Sequence, residues 1–292
     1  MSRRTSAALV LCCAVAGVAL AGCDEAPDAD SAPPASTSFT GTEKIKVGDR
    51  SVNVSCSGDP VDGHPVVVLL HGGGDGLDKL AALQKSLAGK DRVCSYDRLG
   101  AGASDQPDGP QTFESTGKVL TAVVDRVAGD QPVVLAGHSL GGLIAARYSP
   151  DHQDRVKGLV LMDATSPTQT ADLRAGIPDS ATGTAAELRA QTLTVLQGEG
   201  PEKLAAPDSD VRSAGNIPVE VIQHGKPYLA AVPEYGPALE RAWAEGQKKW
   251  LAISSHSSLT TATGSEHYIY LDQPDLAVQA IRRVVLQATP VR

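Results

Sequence analysis

Short, uninterrupted apolar runs recur along this chain, and they constrain its fold more than any other feature. Clear examples are residues 66–70, 133–136 and 159–162. A continuous apolar run favours a strand covered on both faces, whereas a strand with one exposed face alternates apolar and polar residues. The segments between the runs carry apolar residues at helical spacing, as in residues 118–127. Strands that alternate with helices indicate an α/β fold with a mostly parallel, doubly wound sheet.

Two parts of the chain depart from this rhythm. Residues 43–48 and 50–58 alternate polar and apolar positions, which predicts two antiparallel strands at the start of the fold. Residues 164–216 are rich in Ala, Thr, Gly, Pro and Asp and contain only short helical stretches. We expect this insertion, with the loop that continues to about residue 240, to form a small cap.

The N-terminal segment has the pattern of an export signal. Arg3 and Arg4 give it a positive start, and residues 7–21 form an uncharged apolar run. Because this run is shorter than the roughly 20 residues that span a bilayer, it favours a signal peptide over a permanent transmembrane helix. It ends in Leu-Ala-Gly-Cys, which resembles the lipobox of bacterial lipoproteins. Residues 1–22 are therefore the predicted signal peptide and Cys23 the predicted lipid-bearing residue.

The residues that follow Cys23 predict a tether. Residues 24–38 are acidic, rich in Pro, Ala and Ser, and show no apolar periodicity, which is typical of a disordered segment. We therefore expect a lipid-anchored tether over residues 23–40 and a folded domain over residues 41–292. Such a lipoprotein would lie on the extracytoplasmic face of the cell membrane, with the lipid as its only membrane contact.

The charge of the chain argues against a nucleic-acid partner. The formal net charge is -8 at pH 7, and the basic residues are scattered rather than clustered. The sequence contains no recognisable metal-ligand cluster or phosphate-binding loop, so we predict no metal and no cofactor. It gives no indication of oligomeric state.

Residues 137–142, Gly-His-Ser-Leu-Gly-Gly, contain the pattern Gly-x-Ser-x-Gly. The pattern alone carries little weight, because 29 of the 292 residues are glycine. Its setting carries more, because an apolar run precedes it and a helix-forming segment follows. A sharp strand-to-helix turn would expose the Ser139 side chain above the sheet edge, and glycines at positions 137 and 141 would avoid collisions with neighbouring backbone.

The order of the motifs in this chain resembles the α/β-hydrolase superfamily over roughly residues 42–288. The four motifs are HGGG at 71–74, YDRLGAGAS at 96–104, GHSLGG at 137–142 and GSEHYIYLDQPD at 264–275. The resemblance implies the α/β-hydrolase fold, with a mostly parallel sheet of the eight-stranded type and a small cap over Ser139. It also implies that Ser139 is the nucleophile of an acyl-transfer reaction.

The resemblance implies roles for further residues. The family places its general base between the last strand and the last helix, where His267 alone of the seven histidines lies, with His256 as the alternative. The oxyanion would be bound by the backbone N–H of Leu140 and by an N–H of the HGGG loop, first that of Gly73 and next that of Gly74.

The acid that orients His267 has two candidates. The family's usual position is the loop after the strand at residues 218–224, and the only acidic residue there is Glu234. Some relatives carry the acid directly after the strand that follows the serine, and Asp163 occupies that position. A structural interpretation of Asp163, as the cap of a helix starting near Pro167, is also open. We prefer Asp163 and keep Glu234 as the alternative.

The fold implied by the resemblance also brings two cysteines together. The strands that carry Cys56 and Cys94 would be neighbours, so we predict a disulfide between them, which suits an exported protein. The implied function is a serine hydrolase, foremost a carboxylic ester hydrolase on a small or medium substrate. An aminopeptidase resembling proline iminopeptidases, or a perhydrolase, is the alternative, and a non-catalytic binding lipoprotein is the remote one. The partner would be a small-molecule ester or amide.

Overall fold

The computed structural model describes residues 38–290. The predicted signal peptide, the predicted lipid site at Cys23 and most of the predicted tether lie outside the described residues. Within residues 38–290, no helix combines the length and the apolar character that a membrane crossing requires.

Eight strands and eight α-helices alternate along most of the described chain. The strands are β1 Gly41–Val47, β2 Arg50–Ser57, β3 Val66–Leu70, β4 Val93–Tyr96, β5 Val133–His138, β6 Val156–Met162, β7 Pro218–His224 and β8 His256–Ala262. The helices are α1 Leu77–Leu87, α2 Phe113–Ala128, α3 Leu140–Tyr148, α4 Gln169–Gly176, α5 Gly183–Leu196, α6 Gly236–Lys249, α7 Ile269–Asp272 and α8 Pro274–Ala288. Short 3₁₀ turns cover Ser149–Asp151, Tyr228–Ala231 and Trp250–Ile253.

The strands form one sheet in the order β1-β2-β4-β3-β5-β6-β7-β8. The hairpin of β1 and β2 is antiparallel, and β2 also pairs antiparallel with β4. All remaining neighbours, from β4 to β8, pair in parallel. The predicted antiparallel start and mostly parallel sheet are therefore confirmed.

The continuous apolar runs are explained by helices on both faces of the sheet. Every residue of β3 is buried, and its side chains alternate between two hydrophobic clusters. One cluster joins Val66, Val68 and Leu70 to residues of α2 and α3, and the other joins Val67 and Leu69 to residues of α1 and α8. Because neither face meets water, a central strand has no polar position to alternate with.

The pairing of β2 with β4 sets Cys56 directly opposite Cys94, and a disulfide joins them. Both cysteines are fully buried beside the apolar cluster that includes α2 and α3. The bond closes a loop across 38 residues and connects the antiparallel hairpin to the parallel part of the sheet.

The insertion between β6 and β7 carries α4 and α5. Leu173, Ile177 and Ala185 of this insertion pack with Leu239 of α6 in a third hydrophobic cluster, separate from those on the two sheet faces. The predicted cap bounds, 164–216, fall between the end of β6 and the start of β7. The insertion thus has a small core of its own, to which α6 contributes.

Candidate active site

Ser139 lies at the carboxyl end of β5, in a sharp turn that leads directly into α3. Its backbone has a φ of 50°, which costs energy for a residue with a side chain and is found mainly where surrounding structure enforces it. A side chain at either flanking glycine would collide with nearby backbone, that of the turn itself for Gly137 and that at the end of β3 for Gly141. A Cβ at Gly137 would lie 2.5 Å from the carbonyl carbon of Gly141, and one at Gly141 would lie 2.4 Å from the Leu70 oxygen.

Asp163 occupies the equivalent position on the neighbouring strand. The β5–β6 register pairs His138 with Met162, so that Ser139 and Asp163 both follow the last paired residues at the same sheet edge. Asp163 also has a positive φ, 45°, and its N–H donates to the Ile222 carbonyl of β7 at 2.7 Å. The backbone therefore holds both residues in unusual conformations at adjacent strand ends, which is a common feature of functional sites.

The loop after β8 brings His267 to Asp163. Its Nδ1 lies 2.7 Å from Asp163 Oδ2, and because a carboxylate only accepts, Nδ1 carries the proton and Nε2 is left as the basic nitrogen. His138 supports this loop from below, with its Nε2 3.0 Å from the His267 carbonyl oxygen and the two rings 4.5 Å apart. Among the described residues, no hydrogen bond joins Ser139 Oγ to His267, and such a bond often forms only when substrate is bound.

The two alternative predictions lie elsewhere. Glu234 is exposed ahead of α6 and is not brought to His267. His256 is the first residue of β8, at the sheet edge opposite Ser139, where its Nδ1 contacts the Asn216 carbonyl at 2.8 Å. Asp163 does not cap a helix either, because α4 begins at Gln169. Of the candidate acids, the structure brings Asp163 alone to His267.

The predicted oxyanion donors are neighbours in space. A Cβ placed on Gly73 would lie 3.5 Å from the Leu140 side chain, so the HGGG loop packs beside the residue that follows Ser139. The N–H of Gly74 instead points to Glu202 Oε1 at 3.5 Å. This geometry favours Gly73 over Gly74 as the partner of Leu140.

A buried ion pair fixes the HGGG loop. The Arg98 guanidinium donates to the carbonyl oxygens of His71 at 2.6 Å and Gly72 at 2.9 Å. It also forms two parallel bonds with Glu202 of the insertion, at 2.6 and 2.9 Å. Arg98 thus connects the HGGG loop to the insertion, and nothing in the sequence singled out Glu202.

A family model described as the alpha/beta hydrolase fold matches residues 65–198. The chain has the α/β-hydrolase fold. Solved structures agree, among them an esterase from Thermogutta terrifontis, with a TM-score of 0.60, 19% identity and coverage of 85% of this chain and 99% of that one.

Another α/β-hydrolase-fold structure that superimposes well is an enol-lactonase from Burkholderia xenovorans, with a TM-score of 0.57, 19% identity and coverage of 84% of this chain and all of that one. Among curated proteins, the mouse (Lyso)-N-acylphosphatidylethanolamine lipase is 32% identical over 156 residues, which are 51% of this chain and 45% of the mouse protein. The chain thus spans less than half the length of the curated relatives it matches.

Asp163 is the electrostatic centre of the candidate active site, and it is fully buried. Besides His267, it accepts bonds from the backbone N–H of His224 at 3.0 Å, from His224 Nδ1 at 2.9 Å and from Trp243 Nε1 at 2.8 Å. Burial alone would raise the pKa of Asp163, but hydrogen bonds from His224 and His267 outweigh it and lower the pKa to about 2. The carboxylate is therefore ionised at neutral pH.

Sequence reasoning missed most of the partners of Asp163. His224 ends β7, and its bond to the acid was not foreseen. Trp243 and Glu240 lie one turn apart on α6 and had no recognisable motif. The available signal was weak, because no local sequence pattern marks His224 or Trp243. Only their positions on β7 and α6, the strand and helix that adjoin Asp163, bring them to the acid.

A cavity of about 320 Å³ opens beside the proposed oxyanion donors. Its lining includes Gly73 and Leu140, together with Leu196, Leu204 and Ala206 of the insertion. The lining is predominantly apolar, as is typical of pockets that bind small organic molecules. Within residues 38–290, no group of three or more His, Cys, Asp or Glu side chains is arranged to hold a metal ion.

Proposed function

We propose that this chain is a serine hydrolase that cleaves carboxylic esters by acyl transfer through Ser139, His267 and Asp163. The observation that carries the proposal is the 2.7 Å contact between His267 Nδ1 and Asp163 at the edge where the strained Ser139 turn ends β5. A nucleophile, a base oriented by an ionised acid and a pair of backbone donors are the parts that this chemistry requires.

The reaction would proceed in two halves. His267 Nε2 accepts the Ser139 hydroxyl proton as Oγ attacks the ester carbonyl, and the N–H groups of Gly73 and Leu140 bind the developing oxyanion. The protonated His267 then donates to the departing alcohol, which leaves an acyl group on Ser139. Water, deprotonated by His267, attacks the acyl-enzyme, and His267 returns the proton to Ser139 Oγ as the Oγ–acyl bond breaks and the carboxylic acid leaves. Throughout, Asp163 stabilises the imidazolium without taking its proton.

The proposed substrate carries an apolar acyl group of small to medium size. Its position would be the 320 Å³ cavity, because that cavity adjoins both proposed oxyanion donors. The names of the similar proteins point to the same bond type, since they include a lipase, an esterase and an enol-lactonase. Amide cleavage and perhydrolysis use the same residues, but no contact in the site favours either over ester hydrolysis.

Turnover of p-nitrophenyl esters of graded chain length tests this proposal. We expect hydrolysis by the wild type and a loss of roughly 10⁶-fold in kcat for Ser139→Ala, as serine proteases show when the nucleophile is removed. Ser149→Ala, on a buried serine that bonds to the Ala145 carbonyl outside the site, is the matched control. Equal turnover by wild type and Ser139→Ala would overturn the proposal.

We further propose that the hydrolase is exported and anchored through a lipid on Cys23. The apolar run, the lipobox-like ending and the polar segment after it support this placement. Cells that express the full chain with an alkyne fatty acid should yield a labelled protein in the membrane fraction, and Cys23→Ser should abolish the label. Labelling that persists in the variant would contradict the proposed site.

A further inference from the structure

His224 is held between two carboxylates. It is the last residue of β7, and its Nδ1 lies 2.9 Å from Asp163 Oδ2 and 3.0 Å from Oδ1. On the other side of the ring, Nε2 lies 2.8 Å from Glu240 Oε2. The residue is buried, with 9% of its surface exposed. The ring therefore bridges the proposed catalytic acid and a second acid on α6.

Glu240 is itself held in place. Its second oxygen accepts the backbone N–H of Leu229 at 2.6 Å and that of Ala230 at 3.2 Å. Those two residues belong to the 3₁₀ turn that follows β7. These two backbone donors hold one Glu240 oxygen, so that the other, Oε2, faces His224.

The partners define the protonation state of His224. A neutral imidazole has one N–H and can donate to only one carboxylate, whereas an imidazolium donates to two. Both ring nitrogens of His224 face carboxylate oxygens, which is the arrangement that an imidazolium between two carboxylates adopts. The pKa of His224 is raised accordingly: burial lowers it, but the bonds and charges of Asp163 and Glu240 outweigh burial.

We propose that His224 is a positioning residue, an imidazolium clamped by Glu240 that fixes the Asp163 carboxylate and offsets part of its negative charge. This role rests on the proposed function, because it acts through Asp163 on the base His267. The charges of the cluster then sum to one negative rather than two, so His267 faces a smaller negative charge. The charge on His224 thereby helps to set the lower pH limit of activity.

The other groups that face His224 do not supply this charge. The Tyr228 ring lies 4.9 Å from it, centroid to centroid, and burial raises the pKa of that phenol far above neutrality, so it stays uncharged. Trp243, 6.2 Å away, does not titrate and donates to Asp163. His267 shares Asp163 with His224 and is the group whose protonation is affected.

The pH dependence of kcat/KM tests the proposal with two substitutions of opposite charge effect. His224→Asn keeps an N–H donor toward Asp163 but removes the cation, so the acid-side midpoint of the profile should rise by about 0.5 to 1 pH unit. Glu240→Gln keeps an acceptor for Nε2 but removes an anion, so the midpoint should fall, by less than the opposite shift because His224 also holds its proton less tightly in this variant. A merely structural role would reduce kcat without opposite shifts.

Two control variants match these changes. His64→Asn removes a histidine that also contacts a carboxylate, that of Asp91 at 3.3 Å, ahead of the amino end of β3. Glu245→Gln neutralises an exposed glutamate on the same helix as Glu240. Both controls should retain the wild-type midpoint. Shifts of the same sign in His224→Asn and Glu240→Gln, or no shift in either, would overturn the proposal.

A measurement that needs no substrate separates this inference from the proposed function. In ¹⁵N-histidine NMR spectra at pH 7.5, the two ring nitrogens of His224, identified by their loss in His224→Asn, should both carry protons. If the wild type turns over esters while His224 is neutral, only the inference fails. If His224 is an imidazolium and no ester is cleaved, both the proposed function and the positioning role that rests on it fail.

Discussion

The two sides of the proposed active site are braced in parallel ways by different cations. On the oxyanion side, Glu202 holds Arg98, which binds the carbonyl oxygens of the HGGG loop. On the acid side, Glu240 holds His224, which binds Asp163. Both carboxylates come from the chain after β6, outside the strands that carry Ser139 and Asp163. The guanidinium stays charged at every physiological pH, whereas the imidazolium can lose its proton, so only the acid side responds to pH.

The largest effect should come from removing the acid itself. Asp163→Ala is expected to lower kcat by about 10⁴-fold, which is the cost of losing the acid in other serine hydrolases. Glu234→Ala should change kcat less than threefold, because Glu234 is exposed and is not brought to His267. Steady-state kinetics at pH 8 on both variants check this ranking. A larger loss from Glu234→Ala would reassign the acid.

Breaking the oxyanion-side brace should have the next largest effect. Arg98→Met leaves the buried Glu202 charge unpaired and frees the HGGG loop, so we expect about 3–5 kcal/mol less stability. Misplacement of the Gly73 N–H should also reduce kcat by about 10²-fold. Denaturant unfolding and kinetics measure the two effects separately.

Arg98→Lys and Glu202→Gln are the companion variants to Arg98→Met. Arg98→Lys keeps the charge but not the paired bonds to Glu202, so its losses should lie between those of wild type and Arg98→Met. Glu202→Gln removes the anion instead of the cation. Wild-type kcat in all three variants would show that this brace does not hold the oxyanion donors.

The contacts of Glu240 with His224 and of His224 with Asp163 should make stability depend on pH, whereas the Glu202–Arg98 pair should not. The folded-state pKa of His224 is raised above its unfolded value of about 6.5, so its contribution is complete below that pH and is lost as pH rises through the folded pKa. The difference in unfolding free energy between wild type and His224→Asn should therefore shrink from pH 6 to pH 9. Trp243→Phe, which removes a donor to Asp163 that does not titrate, should show a constant difference.

The smallest expected effect is a change in the preference for acyl-chain length. It should arise only from substitutions on the oxyanion side. Ala206 is buried and lines the cavity beside Leu140. Ala206→Phe should reduce kcat/KM for medium-chain esters by about tenfold relative to acetyl esters, within the range that hydrophobic pockets discriminate. His224→Asn should leave the chain-length preference unchanged. An unaltered preference in Ala206→Phe would place the acyl group elsewhere.

Site residues that directly follow a strand were predictable from the sequence. Site residues that reach the site only through the packing of the insertion and α6 were not. Ser139 and Asp163 each follow an apolar run, and the carboxyl ends of parallel strands meet at one edge of the sheet. His267 precedes the last helix, a position that the resemblance to the α/β hydrolases supplied. The continuous apolar runs likewise predicted the doubly covered sheet, because a strand that is buried on both faces carries apolar residues at successive positions.

No sequence pattern indicated the pairing of Arg98 with Glu202 or of His224 with Glu240. Glu202 lies 104 residues from Arg98, and Glu240 lies 16 residues from His224. Their side chains reach their partners only because the insertion and α6 fold back over the carboxyl edge of the sheet. A lone glutamate in a polar segment is ordinarily solvated, so its type and spacing carry no information about a buried partner.

The most direct test of the central claim is the rate at which a fluorophosphonate probe modifies the protein, followed by peptide mass mapping. We expect one adduct per chain, on the peptide that contains Ser139, with rates reduced at least a hundredfold in His267→Gln and in Asp163→Ala. Ser139→Ala should give no adduct. An adduct on another residue, or unchanged labelling of Ser139 in the His267 and Asp163 variants, would contradict the proposal that these three residues act together.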